Sequence, residues 1–305
     1  MGYTRKTDAN EITQEYMDSI LVKARYIDSV VADTSVSIFG RKYSMPVVMP
    51  AFSHLGVYNG RQKNGLEEYS LAAKECEALN FCGMMENEMF QKIIDTGADT
   101  VRIVKPYADH GKILDQMQFA EAAGAVGIGM DIDHIFGEKG ADIVVGEEMA
   151  SQTKEMLQSY VELTKLPFVV KGVLSVTDAV KCAAIGAKAI IVSHHHGRIP
   201  YAVPPLMILP QIKEALQGKD VQIIVDCGIA SGADVFKALA LGADAAAVGR
   251  AMLPSLEKDG TEGLAGFLRT VEDELRYMMS CCGFAKPADI DDSVLCFWRR
   301  ELNGK

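Results

Sequence analysis

The chain has 305 residues, 49% hydrophobic and 24% charged, with a formal net charge of −10. That composition is globular rather than disordered, and the acidic balance argues against nucleic acid or an anionic membrane as partner. No apolar run reaches the roughly 18 residues of a membrane span.

The polar start MGYTRKTDANE lacks the apolar stretch of a secretory signal. The next stretch, EITQEYMDSILVKARYI (11–27), reads as one helix, and DTSVSIFGRKYSM (33–45) as a hairpin or plug. Eight short apolar runs follow: 46–51, 79–84, 101–106, 125–131, 168–173, 189–194, 222–228 and 245–250. They are β-branched or small and hardly alternate, as strands buried on both faces do. Between them, residues 65–79, 112–124, 149–165, 176–186 and 233–242 carry apolar side chains at helical spacing. Gly124, Gly186 and Gly242 stand where helix C-caps belong. A further helix is predicted over 262–280.

Eight strand–helix alternations predict a (β/α)8 TIM barrel, with a doubly wound open sheet as the alternative. The expected organisation is a single α/β domain over 1–305. It comprises an N-terminal helix and plug (1–45), a barrel core (46–250) and a C-terminal helical segment (251–305). The seven cysteines are odd in number, irregularly spaced and without a CxxC pair. A disulfide framework or zinc site is therefore not expected, and a cytoplasmic location is.

Such barrels carry their chemistry at the C-terminal ends of the strands. Reading those ends gives Lys105 and Tyr107, Asp131, Lys171, Ser193 through Arg198, Asp226 to Gly228, and Gly249-Arg250. Lys171 interrupts an apolar strand, so it needs an anionic partner or a function. The small-residue turn Asp226–Gly232 opens a helix, and its amides suit an anion such as phosphate. Gly249-Arg250 adds close approach and a guanidinium. Of His194, His195 and His196, at most two converge on one face of a strand. No HExxH motif occurs, so a base is expected there rather than a metal site.

The segments PFVVKGVLSVTDAVKCAAIGAKAIIVSHHHGR and VDCGIASGADVFKALALGADAAAVGR, with DTSVSIFGRKYSMPVVMPA upstream, resemble the FMN-dependent α-hydroxy-acid oxidase/dehydrogenase family. The resemblance, in order from about residue 30 to 285, implies FMN as cofactor and oxidation of a small 2-hydroxy acid to a 2-oxo acid. It implies oxygen or another redox partner as acceptor, and a homo-oligomer. It also implies His195 as base, supported by Asp131, and Arg198 as substrate carboxylate clamp. Lys171 would stand at the flavin edge and Tyr107 at the substrate. Pro50, Ala51, Lys105, Ser193, Asp226, Gly228, Gly249 and Arg250 would hold the cofactor.

The chain departs from the family pattern at several points. His194-His195-His196 replaces Asn-His-Gly, Lys105 replaces a glutamine, Gly129 a threonine, and Ala230 a phosphate-binding arginine. The segment GMMENEM (83–89) places Glu86 near the pocket rim. The stretch from Asp131 to Phe168 is short for the family's lid, with His134 and Lys139 as its nearby basic residues. These departures keep two alternatives open. One is a different reaction on an FMN barrel, as in type 2 isopentenyl diphosphate isomerase. The other is a flavin-binding protein with a decayed substrate site.

Overall fold

A computed structural model describes residues 7–137 and 140–298. The start of the chain before residue 7, Lys139, and the C-terminal segment beyond 298 lie outside the described residues. Eight strands close into one barrel: β1 (Val47–Phe52), β2 (Asn80–Cys82), β3 (Thr100–Val104), β4 (Gly127–Asp131), β5 (Phe168–Val173), β6 (Ala189–Val192), β7 (Gln222–Val225) and β8 (Ala245–Ala247). Every pairing is parallel, and β8 returns to β1 with Ala246 opposite Val47. Closure excludes the open sheet and makes this a (β/α)8 barrel.

Two apolar shells hold the barrel. Val48, Phe81, Ile103, Val169, Ile191 and Ile224 fill the bore. The hairpin Val36–Ile38/Arg41–Tyr43 adds Ile38 and Tyr43 to that cluster. It sits at the N-terminal end, where Phe39 N–H donates to the Gln222 side chain. The other faces of the same strands, including Val170, Ile190 and Val225, pack under the helices. Burial on both faces explains why the strand sequences scarcely alternate.

Strand alternation then dictates what lies above the bore. Two residues beyond an interior position, the side chain returns to the same face. Ile103, Gly129, Val169, Ile191 and Ile224 are followed two residues on by Lys105, Asp131, Lys171, Ser193 and Asp226. The apolar bore therefore ends in a polar layer at the mouth. Gly129 keeps the layer below it compact: a Cβ there would lie 2.3 Å from the Val169 carbonyl oxygen.

The helices are α1 (Ala9–Asp18), α2 (Gly65–Glu75), α3 (Asn87–Asp95), α4 (His110–Ala123), α5 (Lys154–Leu163), α6 (Val176–Ala184), α7 (Pro205–Ala215), α8 (Gly232–Ala240) and α9 (Leu253–Cys281). Gly260, at φ +61°, breaks α9. Gly124, Gly186 and Gly242 all take positive φ just beyond α4, α6 and α8. The sequence reading misses α3, which begins inside GMMENEM, and α7, whose Pro205 and Pro210 read as breakers. The expected 11–27 helix stops at Asp18, because the β-branched run beyond favours a strand. Ile20–Val22 pairs antiparallel with Leu295–Phe297. α9 also starts nine residues before the expected 262.

Candidate active site

Asp131 and Lys171 end neighbouring strands and stand directly opposite in register. Lys105 Nζ lies 2.5 Å from Asp131 Oδ2, and Lys171 Nζ 3.3 Å from Oδ1. All three are buried. Burial alone would raise the Asp131 pKa, but Lys171, His195 and Lys105 hold it well below the usual carboxylate range. A buried carboxylate between two ammoniums is compensated where a lone one would not be.

His195 completes the cluster. Its Nδ1 lies 2.7 Å from Asp133 Oδ1, 3.4 Å from Asp131 and 3.4 Å from Lys171 Nζ. The short contact assigns the Nδ1 proton as the one donated to Asp133, which leaves Nε2 as the basic nitrogen. Burial works against a charged imidazole, but Asp131 and the hydrogen bonds to both carboxylates raise the His195 pKa. Asp133 moves upward through burial and the charge of Asp131. Gly172 makes room for it: φ is +92°, and a Cβ would lie 2.5 Å from Asp133 Cγ. Asp131, Asp133 and His195 have metal-ligating atoms within 4.8 Å of one another. The two ammoniums already crowd Asp131, which disfavours a cation there.

The loop after β6 is backbone-strained. His195 (φ +45°) and His196 (φ +59°) are left-handed without being glycine. The replacement of the family's glycine by His196 therefore falls where glycine would be relaxed. Ser193 Oγ accepts the His195 backbone N–H. His194 Nδ1 accepts the Gly197 N–H, so its Nε2–H donates to Thr13 Oγ1 of α1.

A cavity of about 460 Å³ opens beside this cluster, within the range of ligand sites. Lys171 and His195 line one part, together with Pro50, Ala51 and Phe52. Asp226, Cys227, Gly228, Gly249 and Arg250 line another. A Cβ on Gly249 would meet no atom within 4 Å. An apolar wall for a ring, a cation at its edge, a carboxylate for hydroxyls and a guanidinium for phosphate together fit FMN. Cys227 is held as a thiol: burial and Asp226 push its pKa up to about 12.

Eight predicted residues thus share one cavity: Pro50, Ala51, Lys171, His195, Asp226, Gly228, Gly249 and Arg250. The others stand elsewhere. Lys105, expected at the cofactor, is not among the residues that line this cavity; its ammonium pairs with Asp131. Tyr107 is fully buried under Lys112, 4.8 Å from its ring, and bridges to Met149. Arg198 faces the segment after β4, bonded to Asp142, Phe136 and His134. The amides at the start of α8 are not free for an anion as expected. Asp234 accepts from Ala230 and Ser231, and Glu274 accepts from Gly232.

Sequence reasoning missed Asp133 as a site residue, and the cavity-lining Asn10, Thr13 and Gln14 of α1. Asp133 carried a signal, a second acid two residues after Asp131. α1 carried none, because nothing local says where a helix docks.

Comparisons with known proteins converge on one family. The profile described as FMN-dependent dehydrogenase matches residues 2–159 and 141–297. An L-lactate oxidase of Roseobacter sp. (strain GAI101) is 41% identical over 151 residues, 49% of this chain and 40% of that protein. A 2-hydroxyacid oxidase of Dictyostelium discoideum is 38% identical over 134 residues, 44% of this chain and 34% of that protein. The chain spans less than half the length of these curated relatives. Among solved structures, a mandelate oxidase variant with (S)-mandelic acid superposes with a TM-score of 0.86 at 26% identity, covering 96% of this chain and 90% of that one. Mandelate oxidase with (S)-2-phenylpropionate gives 0.84 at 26%, covering 96% and 92%. The closed barrel, the cavity at the strand ends and a profile match across nearly the whole chain agree, and the protein belongs to the FMN-dependent dehydrogenase family.

Proposed function

We propose that this protein uses FMN to oxidise a small 2-hydroxy acid to the 2-oxo acid. The observation that carries the reading is His195, bracketed by Asp131 and Asp133 beside Lys171, on the wall of a cavity that fits the cofactor. When bound, FMN would supply the two-electron acceptor chemistry, with oxygen or another redox partner as the final acceptor.

The chain's residues supply the rest. His195 Nε2 takes the proton the substrate gives up, while Asp133 holds Nδ1–H and fixes the tautomer. Asp131 stabilises the imidazolium that results. The Lys171 ammonium meets negative charge that develops on the cavity side. Arg198 provides the cation for the substrate carboxylate, and Asp226, Gly249 and Arg250 hold the polar end of the cofactor. The seven cysteines are all free, which supports a cytoplasmic location. A homo-oligomer completes the reading, supported by exposed apolar side chains such as Ile27 and Val31. No helix among the described residues is long and apolar enough to cross a membrane.

The test is the visible spectrum of FMN-loaded protein during anaerobic addition of 2-hydroxy acids, from lactate to bulky aromatic ones. One or more acids should bleach the flavin. His195→Ala should keep the flavin and slow bleaching at least about 100-fold, the low end for a general base. A loaded wild-type protein that no acid reduces would overturn the reading.

A further inference from the structure

The guanidinium of Arg198 is already engaged by an acid. Nη2 donates to Asp142 Oδ2 at 2.6 Å and to the Phe136 carbonyl at 2.8 Å, and Nη1 lies 3.1 Å from His134 Nε2. A guanidinium has five N–H donors and two two-pronged edges, Nε with Nη2 and Nη1 with Nη2. Both edges need Nη2, and both Nη2 hydrogens are in use. The donors that remain, Nε–H and one Nη1–H, do not share an edge. Arg198 as it stands cannot grip a carboxylate with two hydrogen bonds.

Asp142 is built into this position. Its backbone N–H donates to the Ile135 carbonyl at 3.0 Å, and its carbonyl accepts from Met149 N–H at 2.9 Å. The Arg198 and Asp142 side chains are only 25% and 18% exposed, so water screens the pair weakly. His134 Nδ1 lies 2.8 Å from the same Oδ2. Burial, with the charges of Lys105 and Arg198, lowers the His134 pKa to about 4. It is therefore neutral at working pH, and Asp142 is the anion on Arg198.

We propose that Asp142 is a resident carboxylate that competes with the substrate's carboxylate for Arg198, and so sets how tightly this enzyme binds 2-hydroxy acids. The inference rests on the reading of Arg198 as the substrate clamp. Substrate gains its second hydrogen bond by displacing Asp142 or the Phe136 carbonyl from Nη2, and of these two Asp142 holds Arg198 with a full charge, so binding is weakened while the reacting groups around His195 are unaffected. Asp142 acts through Arg198, as a specificity-determining positioning residue.

A double-mutant cycle on the FMN-loaded protein tests this, with oxalate as an unreactive carboxylate probe followed by calorimetry. Asp142→Asn keeps the shape and removes the charge. It should tighten oxalate about tenfold or more, the range expected when a competing hydrogen bond to a charged group is lost. With a reducing substrate, KM should fall while kcat stays within about twofold, a split that a merely structural defect would not give. In the Arg198→Ala background, Asp142→Asn should change oxalate binding less than about twofold. Asp142→Glu, which keeps the charge, should bind oxalate as weakly as the wild type. Unchanged or weaker binding in Asp142→Asn overturns the proposal, as does equal tightening in both backgrounds. If Arg198→Ala has no effect on oxalate even when Asp142 is Asn, the clamp reading itself falls.

Discussion

His195 owes its raised pKa to two carboxylates on the segment that ends β4, and the cluster titrates as a unit. The sign of the pH dependence follows. A base must be neutral to act, so kcat/KM should rise with pH through an apparent value above the ordinary imidazole pKa of about 6.5. Stability runs the other way: the contribution of protonated His195 is present below the ordinary value and lost as pH rises through the raised one. Asp133→Asn removes one of the charges that favour imidazolium, and the acid limb of the kcat/KM profile should move to lower pH. An unmoved limb would mean that Asp131 alone governs the base. At this scale the sequence was legible where alternation applies. Lys105, Asp131, Lys171, Ser193 and Asp226 follow interior positions by two residues, so a strand reading alone places them at the mouth. Asp133 and Arg198 were less so, because each sits in a loop and its direction depends on tertiary contacts.

The element that changes the picture of the site is α1. It lines the cavity with Asn10, Thr13 and Gln14, and it is pinned by Thr13 to His194 and by Asn10 to the His196 carbonyl. It lies against the turn after β7, where Gly228 has φ +82° and a Cβ would stand 2.6 Å from Met17 Sδ. Gly228→Ala should strain this turn and unseat the helix. FMN affinity, read by quenching of flavin fluorescence, should fall roughly 5- to 30-fold, the equivalent of one strained residue. Protease cleavage within Ala9–Asp18 should quicken in parallel. Intact affinity would separate α1 from cofactor binding. The helical spacing of residues 9–18 is visible in the sequence, but the docking site, which begins 181 residues beyond Thr13 at His194, is not. α3 was hidden by the short, methionine-rich segment before it, and α7 by Pro205, which is tolerated at N1, and by Pro210 inside the helix.

Across the whole molecule, the eight strands were the most legible feature, because burial on both faces leaves eight apolar runs; closure into a barrel rather than an open sheet follows from β8 pairing with β1. What closes the molecule around the barrel was not legible. Ile20–Val22 pairs with Leu295–Phe297, and Trp298 N–H donates to the Ser19 carbonyl at 2.7 Å. This ribbon continues directly from α1 and ties the helix to the C-terminal segment. Cys296→Pro would remove a backbone N–H from the two-stranded ribbon. It should lower stability by roughly 1–3 kcal/mol, seen as a lower thermal midpoint, with faster hydrogen exchange at the Leu21 amide. Unchanged exchange would mean that the ribbon is not what secures α1.

The ribbon also orders events in time. During synthesis, Ile20–Val22 leaves the ribosome long before Leu295–Phe297 exists, and the barrel strands between them emerge first. Closing so long a loop is slow, although length itself adds only modestly to its entropic cost. The wall of the cavity formed by α1 is therefore secured after the barrel, and a nascent chain halted short of residue 295 would carry Asp131, Lys171 and His195 without the strap that holds that wall in place.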